Sequence, residues 1–313
     1  MFYNSDMNEY PMTFREFVAR FSTEEQCRDY LYQLRWQNGF VCPKCSHNKS
    51  WAVGDVLYEC AACGHQTTVI AGTIFQDTRS PLSDWFIAIW WITTQKNGGS
   101  AQGLQQILGL KTYNAAWTWL HKIRTAMVFA ERTKLNGRVE IDETYLGGED
   151  VDGTSGRGAG KKVLVIAAVE VRGRGYGRVR LSVIDDASAK SLHLFIKDNI
   201  ETGSTLITDA WLGYSGIEDA GYKREIYNQS KATLKEEMLP HVHTIISLLR
   251  RWLLGTHQGA VKRTHLQAYL EEYTFRFNRR KAAKRGLLFY RLLENAMKVA
   301  PTTYGELLGH TQP

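Results

Sequence analysis

Apolar and polar positions recur along this chain with two periods, and the switches between them mark the elements. Phe14, Phe17, Val18 and Phe21, then Cys27, Tyr30, Leu31 and Leu34, fall at helical spacing and predict an initial helical stretch from Thr13 to Leu34. Short alternating runs in VCPKCSHNKSWAVGDVLYECAACGHQTTV predict a small β-ribbon that forms a separate module. Helical patterning returns from Pro81 to about Thr94, and again over Ser100 to Leu108 and Thr112 to Arg124, broken at Gly109-Leu110. A helix, a short glycine turn and a second helix suit a helix-turn-helix and, equally, an ordinary αα-hairpin in a helical linker.

From Gly137 the period shortens to that of strands. VEIDETYL is followed by a glycine-rich connection through Gly160, then by KKVLVIAAVEVR and GRVRLSVI, joined by a Gly/Arg turn. A helix is predicted from about Ser188 to Ile200, ahead of a short apolar strand, STLIT, that ends just before Asp209. Pro240, tolerated in a first helical turn, opens a long helix that carries His243 and runs to about Leu254. In HLQAYLEEYTFRFNRR, Leu266, Tyr269, Leu270, Tyr273 and Phe277 share one helical face. The basic end of that segment, Arg276, Arg279, Arg280, Lys281, Lys284 and Arg285, reads as a track for a phosphate backbone or as a solvated charged face.

These elements predict an α/β protein in four parts. They are a helix with the ribbon over 1–78, a helical linker region over 79–134, a mixed-sheet domain over 135–290 and a tail over 291–313. A length of 313 residues suits two or three structural units, and 43% hydrophobic with 23% charged residues is a globular composition. A formal charge of +7 favours a polyanionic partner. The polar start MFYNSDMNEY has no leader pattern, and the apolar run from Trp85 to Thr93 is too short for a membrane span, so a cytoplasmic protein without membrane contact is expected.

Five cysteines change the picture most. Cys42, Cys45, Cys60 and Cys63 form two CxxC pairs separated by 14 residues, which lets two tight knuckles close a sulfur tetrahedron around Zn²⁺. Four thiolates leave no open position, so this zinc is structural. Cys27 belongs to a helical apolar face and reads as core.

In VEIDETYLGG, Glu140 and Asp142 alternate with Val139 and Ile141 and therefore share one strand face, as an edge strand with a solvated acidic side would also have it. Asp209 follows the apolar LIT, where a helix cap or loop residue is the ordinary alternative. Strand ends in one α/β unit converge, and two carboxylates there suit hard divalent cations and phosphodiester chemistry. On the helix, His243, Ser247, Arg250 and Leu254 line one side, so a metal ligand and a phosphate-binding cation face one way.

At these residues the chain resembles bacterial insertion-sequence transposases of the DDE superfamily, in the ISXO-type branch with an N-terminal zinc ribbon. The resemblance runs from about Phe14 to Arg280 and rests on CPKC with CxxCG, VEIDETYLGG, ITDAWLGY, HVHTIISLLRRWLLGTHQGAV and YTFRFNRR. It implies a ribonuclease-H-like catalytic domain with Asp142, Asp209 and His243 as the acidic-triad variant and Mg²⁺ or Mn²⁺ as cofactor. It also implies Arg250 where the family usually has Lys. The implied activity is metal-dependent cleavage and joining of double-stranded DNA at element ends and target, by an oligomer. Histidine in place of a third carboxylate predicts a Mn²⁺ preference, because Mn²⁺ accepts nitrogen more readily than Mg²⁺. Two rival readings are a catalytically inert DNA-binding protein derived from a transposase and a simple nuclease that never joins.

Overall fold

The computed structural model describes residues 10–95, 97–128, 132–147, 162–227, 239–258, 261–282 and 284–308. The glycine-rich connection expected through Gly160 lies largely outside them, as does the polar stretch before Pro240. In chain order the elements are α1 (Phe14–Arg20), α2 (Glu24–Arg35), β1 (Ser50–Val53), β2 (Leu57–Cys60), β3 (Gln66–Thr68), α3 (Leu82–Thr94), α4 (Ala101–Leu108) and α5 (Tyr113–Thr125). Then come β4 (Arg138–Leu146), β5 (Val163–Arg172), β6 (Gly175–Val183), α6 (Ala189–Asn199), β7 (Thr205–Thr208), β8 (Lys223–Ile226), α7 (Pro240–His257), α8 (Arg263–Asn278), α9 (Arg285–Ala296) and α10 (Tyr304–Leu307). They form two compact units, Met1–Phe129 with Ala282–Pro313, and Ala130–Lys281.

In the first unit the single N-terminal helical stretch is two helices. Thr23 accepts from the Gln26 amide while Gln26 reaches back to the Thr23 amide, a reciprocal cap that starts α2 afresh. Phe17, Phe21, Phe86, Trp90 and Phe289 pack ring against ring, with Phe289 within 5.7 Å of each of the others. The division at 290/291 into catalytic domain and tail therefore does not describe the packing. Leu288, Phe289, Leu292 and Leu293 are one buried face of α9, and they complete the aromatic core of this unit. Each such side chain contributes on the order of 1.5–3 kcal/mol by leaving water. Ser100 and Thr112 cap α4 and α5, and Gly109 takes the left-handed φ of 62° that ends α4.

The second unit is built on a five-stranded mixed sheet in the order β6-β5-β4-β7-β8. β6, β5 and β4 pair antiparallel, whereas β4 with β7 and β7 with β8 are parallel. β8, KREI, lacks apolar alternation, and it joins the edge through backbone pairing with β7. From Val163 to Val169, β5 is buried on both faces. Val163, Val165, Ala167 and Val169 pack with α7 and α8, while Leu164, Ile166 and Ala168 pack with α6. Among the described residues, no helix is long and apolar enough to cross a membrane.

Candidate functional site

Two sets of metal-ligating side chains stand out, one in each unit. In the ribbon, the Cys42 and Cys63 sulfurs are 3.7 Å apart, those of Cys45 and Cys60 are 3.5 Å apart, and all four lie within 4.8 Å of one another. The two knuckles repeat one backbone pattern. Cys42 accepts from the Ser46 amide and donates to His47, and Cys60 accepts from the Gly64 amide and donates to His65. The position that needs positive φ is Gly64 in one knuckle and Ser46, at 60°, in the other. The Ala62 and Cys63 amides point at the Cys60 sulfur and act against its burial, favouring its thiolate. The donor set and its compactness fit structural Zn²⁺. Cys27 is buried away from this cluster in α2.

The second set is assembled by the sheet. On β4 the even-numbered side chains, Glu140, Asp142 and Thr144, face α7, and each meets a partner from it. Glu140 is buried and accepts from the amides of His241 and Val242 at 2.8 and 2.9 Å, and His241 Nδ1 lies 2.7 Å from its other oxygen. No side chain local to α7 caps it, since Leu239 at its start adopts φ 51°, so a strand carboxylate supplies the missing acceptor. One turn in, His243 Nε2 stands 3.2 Å from Asp142 Oδ2. Two turns further, Arg250 donates to Thr144 Oγ1 at 2.5 Å.

Asp209 approaches from the other side. β4 and β7 pair Glu140 with Ile207 in parallel, and Asp209 follows directly after β7, close enough for its charge to act on Asp142. The loop after β7 is tied down. The Trp211 amide donates to Asp209 Oδ1, and Arg224 from β8 donates to the Asp209 and Trp211 carbonyls and to Thr208 Oγ1. Burial raises the Asp142 carboxyl above its ordinary range, with His243 opposing and the Asp209 charge adding to the shift. The structure thus brings Asp142 against His243 and next to Asp209. Among the described residues, only the four cysteines form a group of three or more ligand atoms within 4.8 Å of one another.

Four residues of this region escaped the sequence reading in whole or part. Glu140 was placed on the correct face, but its role as the acceptor for α7 was not visible. Thr144 lies two residues beyond Asp142 on the same face. Glu143, on the opposite face, accepts a short hydrogen bond from the fully buried Tyr214, which follows the Asp209 loop. Burial, together with the charges of Asp142 and Asp209 and against the Tyr214 hydrogen bond, pushes Glu143 up to about 7. No local signal marks these roles, because each partner lies 71 to 106 residues away.

With this geometry in view, the comparisons with known proteins are direct. Residues 134–278 match the ISXO2-like transposase domain, and residues 22–66 match the transposase zinc-ribbon domain. A Halobacterium salinarum protein described as an uncharacterized protein in transposable element ISH50 is 27% identical over 280 residues, covering 83% of this chain and 92% of that protein. The mixed sheet lies within the first match and the paired knuckles lie within the second, so the chain carries an ISXO2-like transposase domain and a transposase zinc ribbon.

Proposed function

We propose that this protein is an insertion-sequence transposase that binds element ends and catalyses metal-dependent DNA strand cleavage and strand transfer. The observation that carries the reading is the approach of His243, delivered by α7, to 3.2 Å from Asp142, with Asp209 directly after the neighbouring parallel strand. The relative's place in a transposable element supports the same reading. We read the strand order, three antiparallel strands followed by two parallel ones, as ribonuclease-H-like.

Two carboxylates and an imidazole fit a divalent cation site of mixed oxygen and nitrogen donors, which favours Mn²⁺ over Mg²⁺. Divalent ions held there would supply activation of the attacking hydroxyl and stabilisation of the leaving oxygen in both cutting and joining. The chain's own residues set the geometry. Glu140 fixes the first turn of α7 and with it His243, and Arg224 fixes the loop that carries Asp209. Arg250, exposed beyond its bond to Thr144, keeps a guanidinium for a phosphate on the same side. The zinc ribbon and the α4–α5 pair bind the terminal repeats, with Lys111 to Asn114 exposed where a recognition helix would begin. Pairing of two ends calls for a homo-oligomer.

The test is cleavage and joining of a labelled end fragment by the native protein, Asp142→Ala and His243→Ala in Mg²⁺ and in Mn²⁺. The expected result is joined product, greater in Mn²⁺, that both substitutions abolish. The histidine at the third position favours one alternative, an inert transposase-derived DNA binder, and end binding without cleavage in either metal would establish it instead.

A further inference from the structure

The turn between β5 and β6 sits at the far end of the sheet from the acids. Asp142 pairs with Ala167, and Arg172 lies five residues further along β5, about 17 Å at strand rise. Arg172 pairs with Gly175 across a two-residue turn whose first position, Gly173, has φ 60°, the requirement of a tight type II′ hairpin. The turn is exposed, and it presents Arg172 and Arg174 to solvent.

Beneath it the charge is one-sided. Glu170 is buried and accepts from the amides of Asn136 and Arg178 and from the Arg178 guanidinium. A Cβ on Gly177 would come within 2.7 Å of Glu170, so only glycine at that position leaves room for the carboxylate. Arg172 reaches the same carboxylate at 3.3 Å. Arg180 is buried beside it, bonded to the Thr133 carbonyl, and the like charges of Arg132, Arg178 and Arg279 press on it. Another carboxylate, Glu271, acts on Arg132. From the end of α8, Arg280 lies over the Phe277 ring and donates to the Tyr176 and Gly177 carbonyls, which extends the basic surface across the hairpin. Arg280 and the Gly/Arg turn, far apart in sequence, are therefore one surface.

We infer that the β5–β6 hairpin tip, with the end of α8 behind it, grips the sugar–phosphate backbone of a duplex segment other than the one at the acids. Crowded guanidiniums on a rigid hairpin suit sequence-independent phosphate contact. The separation of the hairpin tip from Asp142, and the opposite sheet face that Glu170 and Arg180 occupy, set this segment apart from the reacting phosphodiester, while Arg280 and Tyr176, on the α7 side, mark its edge nearest the acids. The inference rests on the transposase reading and names where that enzyme would hold a second stretch of DNA.

The experiment is fluorescence anisotropy of a duplex of arbitrary sequence against the native protein, Arg172→Ala/Arg174→Ala and Arg172→Lys/Arg174→Lys, over a range of salt. The alanine variant should lose roughly tenfold in affinity and flatten the log–log salt slope by about 1 to 2, while the lysine variant keeps the native slope. Both positions are exposed and Glu170 retains Arg178, so an unchanged melting temperature identifies the loss as one of binding. An alanine variant with native affinity and slope overturns the inference and leaves the transposase reading standing. A native protein that binds no duplex at all overturns both.

Discussion

The zinc ribbon and the proposed acid site are specified in opposite ways. In the ribbon, four ligands from a 22-residue stretch are aimed by two knuckles whose hydrogen bonds span no more than five residues. In the second unit, Asp142 on β4, Asp209 directly after β7 and His243 on α7 are spread over about a hundred residues, and the approach of His243 to Asp142 depends on Glu140 seating α7. Beyond the packing of Tyr58 on Tyr32, Trp36 and Phe40, the ribbon depends on its metal for its fold, whereas the proposed acid site would depend on its fold for a metal. The difference predicts where each can be broken.

The largest effect belongs to the ribbon. Cys60→Ser, or a strong chelator, removes a structural zinc whose binding is worth on the order of 10–16 kcal/mol in small zinc modules, and β1–β3 should lose their structure. Hydrogen exchange should then show the ribbon amides unprotected while the β4–β7 core stays protected. A ribbon that keeps its protection without zinc would end the contrast.

The next effect tests the other half. Glu140→Ala leaves the α7 terminus and His241 without their acceptor inside the sheet, a loss of roughly 3–5 kcal/mol in denaturant unfolding of the second unit. Zinc content should not change. Glu140→Gln, which keeps one acceptor oxygen, should recover part of the loss.

A third test uses acid. Glu170 is costly to bury, but the hydrogen bonds and charge of Arg178 outweigh that cost and hold the carboxyl down at about 2. A depressed folded-state value means stability that is complete above the unfolded value near 4.5 and is lost as pH falls toward 2, about 2–3 kcal/mol in all. Glu170→Gln should lower the unfolding free energy by that amount above about pH 5 and by progressively less as pH falls toward 2. The smallest effect returns to the ribbon. Ser46→Gly relieves a left-handed serine in the first knuckle and should stabilise the zinc-bound ribbon by about 0.5–1 kcal/mol in thermal unfolding, while Gly64→Ser destabilises it.

The same contrast explains what could be read before the structure was known. The knuckles, the caps at Ser100, Thr112 and Ser188, and the alternation that puts Glu140 with Asp142 on one face are local, so residue type and spacing carried them. β8 was missed because KREI is an edge strand held by backbone pairing, with no apolar pattern to betray it. The cut at 290/291 split α9, because a helical apolar face does not say which core it fills. The basic end of α8 read as a simple phosphate track. In the structure Arg276 pairs with the buried Glu272, Arg279 lies over Phe275 and Arg280 over Phe277, so these cations also pack. The spacing of Asp142, Asp209 and His243 carried a resemblance, but their approach to one another depends on strand register, which no local pattern encodes.

The central claim is that His243 acts with Asp142 and Asp209 as one metal site, and pulsed EPR of Mn²⁺ bound to the zinc-loaded protein tests it most directly. The account predicts nitrogen coupling from an imidazole in the native spectrum, its loss in His243→Ala, and loss of tight Mn²⁺ binding in Asp142→Ala. Mn²⁺ bound with no nitrogen coupling, or with coupling unchanged in His243→Ala, would contradict it.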